Sequence, residues 1–218
     1  MSNKWYHTSR GKTSEVSIYS KEGYVIKQFR GYQDPKKNQR TLKGRGTRLN
    51  CFLRELECLR RLRGHEHFPQ LLDHDQGGLW IKMSYCGTPY PCDPPRPNRP
   101  DLVEQANRIV DSLAEVDIKY DYKMTTMIDG TGHEHLQAGN LSLLDDRLYL
   151  LDFETAWPVG AEIDPLFGDR FRSVYTKQEF KQLFRKFLVP TGDRVNDLVF
   201  AKYGNKRHVT RKIKNSKR

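Results

Sequence analysis

The stretch 133–140 reads His-Glu-His-Leu-Gln-Ala-Gly-Asn, and Asp152-Phe153-Glu154 begins twelve residues after Asn140. Between them, two short apolar segments at 141–144 and 148–151 flank the polar turn Asp-Asp-Arg, which predicts a β-hairpin. Closure of that hairpin would bring Asp152 back beside Asn140. Carboxylate and amide oxygens suit a hard cation such as Mg²⁺, so the pattern predicts a metal site, although Asp and Asn also flank many ordinary hairpins.

The same residues resemble the catalytic loop and the metal-binding strand end of the protein-kinase-like fold, which are written H-x-D-L-x-x-x-N and D-F-G. The resemblance implies that Asn140 and Asp152 hold Mg²⁺. It also places His135 where that family has its catalytic Asp. A neutral imidazole can accept a proton. The resemblance therefore implies either a phosphotransferase with a histidine base or a pseudokinase that only binds nucleotide.

The upstream half of the chain supplies a candidate ion pair. Tyr24–Phe29 resembles the V-A-I-K strand, whose lysine contacts ATP phosphates, and Lys27 holds that place. A helix is predicted from Cys51 to Arg63, because apolar residues recur there at helical spacing. At about 100° per residue, Glu55 falls within the apolar face and Glu57 outside it. A buried carboxylate needs a partner, so we predict a Lys27–Glu55 ion pair and a solvated Glu57.

A nucleotide site is implied by two weaker likenesses. The segment 9–16, Ser-Arg-Gly-Lys-Thr-Ser-Glu-Val, takes the place of the family's G-x-G-x-x-G-x-V loop but keeps one of its three glycines. After a predicted strand at 79–83, residues 84–87 resemble the hinge that binds adenine through backbone groups. The nucleotide-binding residues implied are Gly11, Lys12, Ser14, Lys27, Met83 and Tyr85.

A proline-rich segment divides the chain. Six of the 11 prolines lie in residues 88–100, too many for a helix or a central strand. We therefore predict a first lobe at 1–87, a linker at 88–100, a reduced second lobe at 101–205 and a basic tail at 206–218. Asp101 with Glu104 is typical of a capping box. It would begin a helix with the apolar face Leu102, Ala106, Ile109, Val110 and Leu113.

The formal net charge of +11 is unevenly distributed. The tail 206–218 has seven basic residues and no acid, and 27–48 has eight basic residues against one acid, Asp34. Such segments are either solvated or contact a phosphate-bearing partner, such as nucleic acid or an anionic surface. The pairs His65–His67 and His133–His135 could likewise chelate a transition metal or be unrelated histidines.

The composition indicates a cytoplasmic protein. No apolar run approaches the ~20 residues of a membrane span, and the first residues lack an apolar signal region. The four cysteines show no C-x-x-C spacing, so we expect reduced thiols. A bacterial or viral intracellular protein fits this pattern.

We therefore predict an α+β, two-lobed protein-kinase-like fold. The first lobe would be a small antiparallel sheet with one helix, and the second would be mostly helical. The resemblance runs from about residue 9 to 169 and is nearest to small atypical kinases and aminoglycoside phosphotransferases. It implies transfer of the ATP γ-phosphoryl group to a hydroxyl acceptor (protein, sugar or lipid headgroup) with Mg²⁺, using Lys27, Glu55 and His135. The alternatives are a pseudokinase acting as a regulatory or interaction module, and a basic nucleic-acid-associated protein on the same fold.

Overall fold

The structure is a computed structural model, which describes residues 14–30, 47–90, 97–120, 140–163 and 176–189, and the backbone of strands 7–10, 124–128 and 134–138. The described part is a mixed α/β structure with antiparallel sheets and three α-helices. Within it, no helix is both long and apolar enough to span a bilayer. The basic tail 206–218 lies outside the described residues, so its binding to nucleic acid or an anionic surface stays a prediction from the sequence.

The first half of the chain forms a five-stranded antiparallel sheet in the order β1-β2-β3-β5-β4. Its strands are β1 (His7–Arg10), β2 (Ser14–Tyr19), β3 (Tyr24–Phe29), β4 (Leu71–Asp75) and β5 (Trp80–Ser84). The predicted turn at 20–23 joins β2 to β3, and Gly23 adopts φ 76° there. Lys27 lies on the central strand β3, between Val16 of β2 and Ile81 of β5.

Helix α1 (Arg48–Arg61) packs on this sheet. It begins three residues before the predicted start, because the Thr47 side chain accepts a hydrogen bond from the Asn50 N–H (3.2 Å) and caps the helix. The predicted apolar face is confirmed, with Phe52, Leu56, Leu59 and Leu62 all buried. The Phe52 ring meets Phe29 of β3 edge to face, with centroids 5.7 Å apart. Because this face is buried, every polar residue on it needs a partner.

The chain joins a second sheet within the predicted linker. Strand β6 (Thr88–Pro89) pairs with β10 (Leu141–Leu144), which pairs with β11 (Arg147–Leu150). Pro89 is tolerated because β6 is an edge strand, in the order β11-β10-β6. The β10–β11 pair confirms the predicted hairpin, with a turn one residue shorter than expected. Tyr90 continues the contact by donating its N–H to the Leu141 carbonyl (2.9 Å).

Two helices pack against each other after the linker. Helix α2 (Val103–Glu115) has the predicted buried face, and helix α3 (Lys177–Leu188) covers it, with Lys181 2.7 Å from Asp111. The capping box predicted at Asp101 and Glu104 is wrong. Helix α2 has no side-chain cap and follows a 3-10 turn, because Asp101 pairs with Arg99 instead (2.6 Å). A capping box does form at Thr176, at the start of α3.

Two further strand pairs lie between α2 and Pro158. Strand β7 (Ile118–Lys119) pairs with β12 (Trp157–Pro158), and β8 (Met124–Ile128) pairs with β9 (Glu134–Ala138). The sequence predicted a loop before Asn140, following a helix, whereas the described backbone is a strand at 134–138. The described residues beyond Gly87 thus form two α-helices and three small sheets, with more strand than the mostly helical second lobe that we predicted.

Gly87 sets how closely β6 approaches β10. It adopts φ 86°, and a Cβ there would lie 1.9 Å from the Leu143 carbonyl oxygen. Gly23 has a similar φ of 76°, but nothing lies within 4 Å of its Cβ position. Gly87→Ala should therefore lower the free energy of unfolding by about 3 kcal/mol, since it combines backbone strain with overpacking. Gly23→Ala should cost about 1 kcal/mol, from the left-handed backbone alone. Urea unfolding of both variants tests this, and equal losses would contradict the close approach.

Candidate functional site

The site is built around the Lys27 ammonium. Its Nζ lies 2.5 Å from Glu55 Oε2, 2.6 Å from Asp152 Oδ1 and 3.7 Å from Glu154 Oε2. The contact predicted between Lys27 and Glu55 is confirmed. Asp152 and Glu154 belong to the segment that follows β11. Asp152 lies 125 residues after Lys27 in the sequence. One ammonium therefore ties the central strand of the first sheet to helix α1 and to the end of the second sheet's hairpin.

Burial makes these contacts electrostatically strong. The side chains of Lys27, Glu55 and Glu154 are 7%, 2% and 4% exposed, whereas that of Asp152 is 31% exposed. Burial opposes the charge on Lys27, but Asp152 and Glu55 outweigh it and raise the pKa of Lys27 above its usual value. Burial raises the pKa of Glu55 to about 7; Asp152 adds to the rise and Lys27 opposes it. These four groups carry one positive and three negative formal charges, and the raised pKa of Glu55 lessens the negative charge near neutral pH.

Asn140 and Asp152 bracket the β10–β11 hairpin, as predicted. The Leu151 N–H donates to the Asn140 carbonyl (2.8 Å), which closes the hairpin at its open end. Both residues adopt left-handed backbone conformations, with φ 70° at Asn140 and 64° at Asp152. Asn and Asp tolerate this region better than other non-glycine residues. The backbone therefore changes direction just before β10 and just after β11, where the two candidate metal ligands lie.

Tyr120, which directly follows β7, links the two ends of the hairpin. The Asn140 Nδ2 lies 3.0 Å from the Tyr120 hydroxyl, and that hydroxyl donates to the carbonyls of Leu151 (2.6 Å) and Asp152 (3.0 Å). The ring is buried and meets Phe153 edge to face at 5.3 Å. Tyr120 was not predicted as a site residue, because a single tyrosine after a two-residue strand belongs to no local pattern.

Arg54 and Glu154 were also not predicted as parts of the site. Arg54 precedes Glu55 on α1, is buried, and donates from Nε to the Glu154 carbonyl (2.8 Å). Glu154 is buried, with its carboxylate within reach of Lys27. Both residues could have been predicted, because charged side chains next to predicted core positions need buried partners. Glu57 is half-buried rather than solvated as predicted: it pairs with Arg61 (2.9 Å), which also donates to the carbonyls of Val116 and Val159.

His67 anchors the hairpin to the turn after α1. Its Nδ1 contacts the Leu148 carbonyl (2.9 Å), and its own carbonyl accepts the Leu150 N–H (3.0 Å). Burial lowers the pKa of His67 below its usual value. Within the described residues there is no group of three or more His, Cys, Asp or Glu side chains that could hold a metal. The described pair His65–His67 therefore belongs to no such group, and His67 has a structural contact instead; His133 and the side chain of His135 lie outside the described residues.

The remaining predicted site residues are placed to different extents. Ser14 is buried at the start of β2, opposite Phe29, and Met83 is buried on β5, opposite Val25. The Tyr85 N–H already donates to the Gly23 carbonyl (2.9 Å). An adenine base at this hinge would therefore bond to backbone groups other than the Tyr85 N–H. Gly11 and Lys12 lie outside the described residues. His135 is on β9, opposite Met127, with only its backbone described.

The three described cysteines lie in the core. Cys51, Cys58 and Cys86 are buried and free, and burial raises the pKa of the Cys58 and Cys86 thiols. Cys92 lies outside the described residues. A buried thiol with a raised pKa is a poor nucleophile, so the described cysteines serve as core residues.

No protein-family model matches the chain. A search of curated proteins also finds no match. Among solved structures, the chain is similar to the Rio2 kinase of Chaetomium thermophilum, described as an ADP/Mg²⁺-phosphoaspartate complex. The identity is 15% and the TM-score 0.42, and the match covers 94% of this chain and 67% of that one.

The chain is also similar to WbdD. One WbdD structure gives 16% identity and a TM-score of 0.41, covering 76% of this chain and 36% of that one. Another, described as a bifunctional kinase-methyltransferase, gives 15% identity and the same TM-score. The chain spans about a third of WbdD. These likenesses are to kinases, as the sequence predicted, but they carry no argument at such TM-scores. The proposals below rest on the geometry of the site.

Removal of the ammonium should destabilise the protein in a pH-dependent way. Lys27→Met leaves Glu55 and Glu154 buried without it, which should cost about 3–5 kcal/mol near pH 8. In that variant the folded-state pKa of Glu55 rises further above its unfolded value, so the native state binds more protons than the unfolded chain. The free energy of unfolding should therefore recover as the pH falls, beginning above about 7, the value of the Glu55 pKa with Lys27 present, and continuing toward about pH 5.5.

The matched control is Lys82→Met, on the neighbouring strand. Lys82 Nζ lies 4.0 Å over the Tyr24 ring, so its loss should cost about 1 kcal/mol or less. Urea unfolding of both variants between about pH 5.5 and pH 8 is the measurement. A Lys27→Met loss that does not change with pH, or that matches the Lys82→Met loss, would contradict the proposed charge balance.

Proposed function

We propose that this chain is a kinase-like phosphotransferase that moves the γ-phosphoryl group of ATP to a hydroxyl acceptor in the presence of Mg²⁺. One observation carries the proposal: the buried Lys27 ammonium contacts both Glu55 and Asp152, and the Asp152 backbone is connected through Tyr120 to Asn140. Phosphoryl transfer needs chiefly positioning and charge neutralisation. This cluster supplies the Lys27 cation, held in position, with the carboxylates of Glu55 and Asp152 beside it.

The residues present fit an Mg²⁺ ion. Asn140 and Asp152 offer an amide and a carboxylate oxygen, which are hard donors, and Mg²⁺ usually keeps several waters and phosphate oxygens as its other ligands. Asp152 is 31% exposed, so its carboxylate can be reached from outside the buried cluster. When bound, the ion would neutralise charge developing on the phosphates. The ion pair with Lys27 would then give way in part to contacts with the metal and the nucleotide.

Each described residue has a role in this proposal. Lys27 contacts the nucleotide phosphates, and Glu55 holds the Lys27 side chain in position from helix α1. Arg54, through the Glu154 carbonyl, fixes the segment that carries Asp152. The base of the nucleotide would lie beside residues 83–87, and Ser14 would lie near the phosphates. We propose a two-lobed arrangement in which 1–87 and 101–205 meet at Lys27 and Asp152.

His135 is the proposed proton acceptor, and one observation favours a second candidate function. His135 belongs to a paired strand, opposite Met127, whereas the predicted catalytic residue would lie on a loop. This position favours a pseudokinase, in which the Lys27 cluster binds MgATP and no phosphoryl group is transferred. The two candidates share the nucleotide site and differ only in the step that follows binding.

Binding of MgATP should stabilise the folded protein. At a hundredfold excess of free ligand over Kd, the free energy of unfolding should rise by about 2.7 kcal/mol. Asp152→Asn should abolish most of that rise, because it removes a metal-ligating carboxylate. Asp146→Asn is the matched control, because Asp146 lies in the turn of the same hairpin with its side chain 82% exposed. The measurement is thermal unfolding with MgATP and with ATP plus EDTA. If millimolar MgATP gives no stabilisation, both the kinase and the pseudokinase candidates fail.

The pH dependence of transfer separates the two candidates. If His135 accepts the proton, activity should fall as the pH drops through the range where a histidine becomes protonated, about pH 6–7. His135→Ala should lower the rate without weakening MgATP binding, and His135→Asp should keep or raise it. Radiolabelled phosphoryl transfer to protein, sugar and lipid acceptors is the assay. An inert wild type together with an active His135→Asp variant would establish the pseudokinase. Equal rates for the wild type and His135→Ala at every pH would remove His135 from the mechanism.

A further inference from the structure

We propose that Tyr120 is a positioning residue that selects which atom of the Asn140 amide faces the metal. The inference rests on the proposed Mg²⁺ site and adds a residue to it. Its basis is the set of three contacts made by a single hydroxyl group: Asn140 Nδ2 at 3.0 Å, the Leu151 carbonyl at 2.6 Å and the Asp152 carbonyl at 3.0 Å.

The direction of each hydrogen bond follows from the chemistry of the groups. A phenol has one proton to donate and lone pairs with which to accept. The carbonyl oxygens of Leu151 and Asp152 can only accept, so the Tyr120 proton serves them, with the shorter contact to Leu151. The hydroxyl must then accept from Asn140, and the part of the Asn140 amide that can donate is its NH₂ group. The NH₂ group of Asn140 therefore faces the Tyr120 hydroxyl.

The two ends of the Asn140 amide therefore face different partners at the candidate metal site. With its NH₂ group held by Tyr120, the Asn140 side chain keeps its Oδ1 for other partners. An amide can ligate Mg²⁺ only through oxygen. A rotation of the amide by about 180° would present the NH₂ group to the cation and remove the ligand. Groups that orient a metal ligand in this way typically account for a 10–100-fold difference in affinity.

The location of Tyr120 suits this role. Its ring is buried against Phe153, which precludes large motion of the hydroxyl. It also fixes the two peptide groups on either side of the Asp152 α-carbon, which carries the Asp152 side chain. The Asn140 backbone is held separately, by the Leu151 N–H at 2.8 Å. The Tyr120 hydroxyl can therefore be removed while the hairpin closure and the ring packing remain.

The test is a double-mutant cycle on metal affinity. Tyr120→Phe should weaken the binding of Mn²⁺, measured by electron paramagnetic resonance with a nonhydrolysable ATP analogue present, by at least roughly tenfold. In the Asn140→Asp background the same substitution should have less than about a twofold effect, because a carboxylate presents oxygen in either orientation. Aspartate also tolerates the left-handed backbone at this position. Tyr149→Phe, on strand β11, is the control and should leave Mn²⁺ affinity unchanged.

A metal-free readout makes the result independent of how well the variant folds. In the wild-type protein without metal, the Asn140 side-chain NH₂ protons should exchange with solvent more slowly than those of exposed asparagines, as measured by NMR. Unprotected Asn140 protons would overturn the inference. So would a Tyr120→Phe affinity equal to that of the wild type, or equal losses in the two backgrounds, although these results would leave the proposed metal site intact. A wild type that binds no Mn²⁺ in a manner sensitive to Asp152→Asn would instead overturn the metal site itself, and the inference with it.

Discussion

A buried ammonium ion must be balanced by negative charge, and the arrangement around Lys27 follows from that requirement. Lys27 lies on the central strand of the first sheet, between β2 and β5, and its side chain is 7% exposed. Isolated burial of this charge would be prohibitively unfavourable. Helix α1 must therefore bring Glu55 to the sheet face, and the hairpin must bring Asp152 and Glu154 to the same point. The contacts that join the two halves of the chain are thus the same ones that neutralise the Lys27 charge.

The part of this site that the sequence could predict was encoded in short-range periodicity. Glu55 falls on the apolar stripe of a helix, which is sufficient to require a cationic partner, and two apolar strands around Asp-Asp-Arg are sufficient to predict hairpin closure. Lys27 was identified differently, by the resemblance of Tyr24–Phe29 to the V-A-I-K strand. The helix and hairpin steps used only local spacing, the range over which helix and strand patterns are informative.

The features that the sequence could not predict depend on contacts between distant segments. Arg99 competes for Asp101 and removes the predicted helix cap, and nothing in the capping-box pattern reports such a competitor. The strand at 134–138 gains its structure by pairing with 124–128, whereas its motif indicated a loop. Tyr120 reaches residues that follow it by 20 and 32 positions. A hydroxyl at such distances leaves no periodic signal in the sequence.

The strand at Thr88–Pro89 has a mechanical consequence. Covalently it continues the first half of the chain. Its hydrogen bonds, however, are made to β10 of the second sheet, and Gly87 lies against Leu143 of that strand. Tyr90, also buried, packs against Phe187 of α3 with ring centroids 5.4 Å apart. The connection between the halves is therefore held by hydrogen bonds within the first three residues of the proline-rich segment. A swing about these residues would break their bonds to β10, and a separation of the halves would also strain the Lys27 ion pairs.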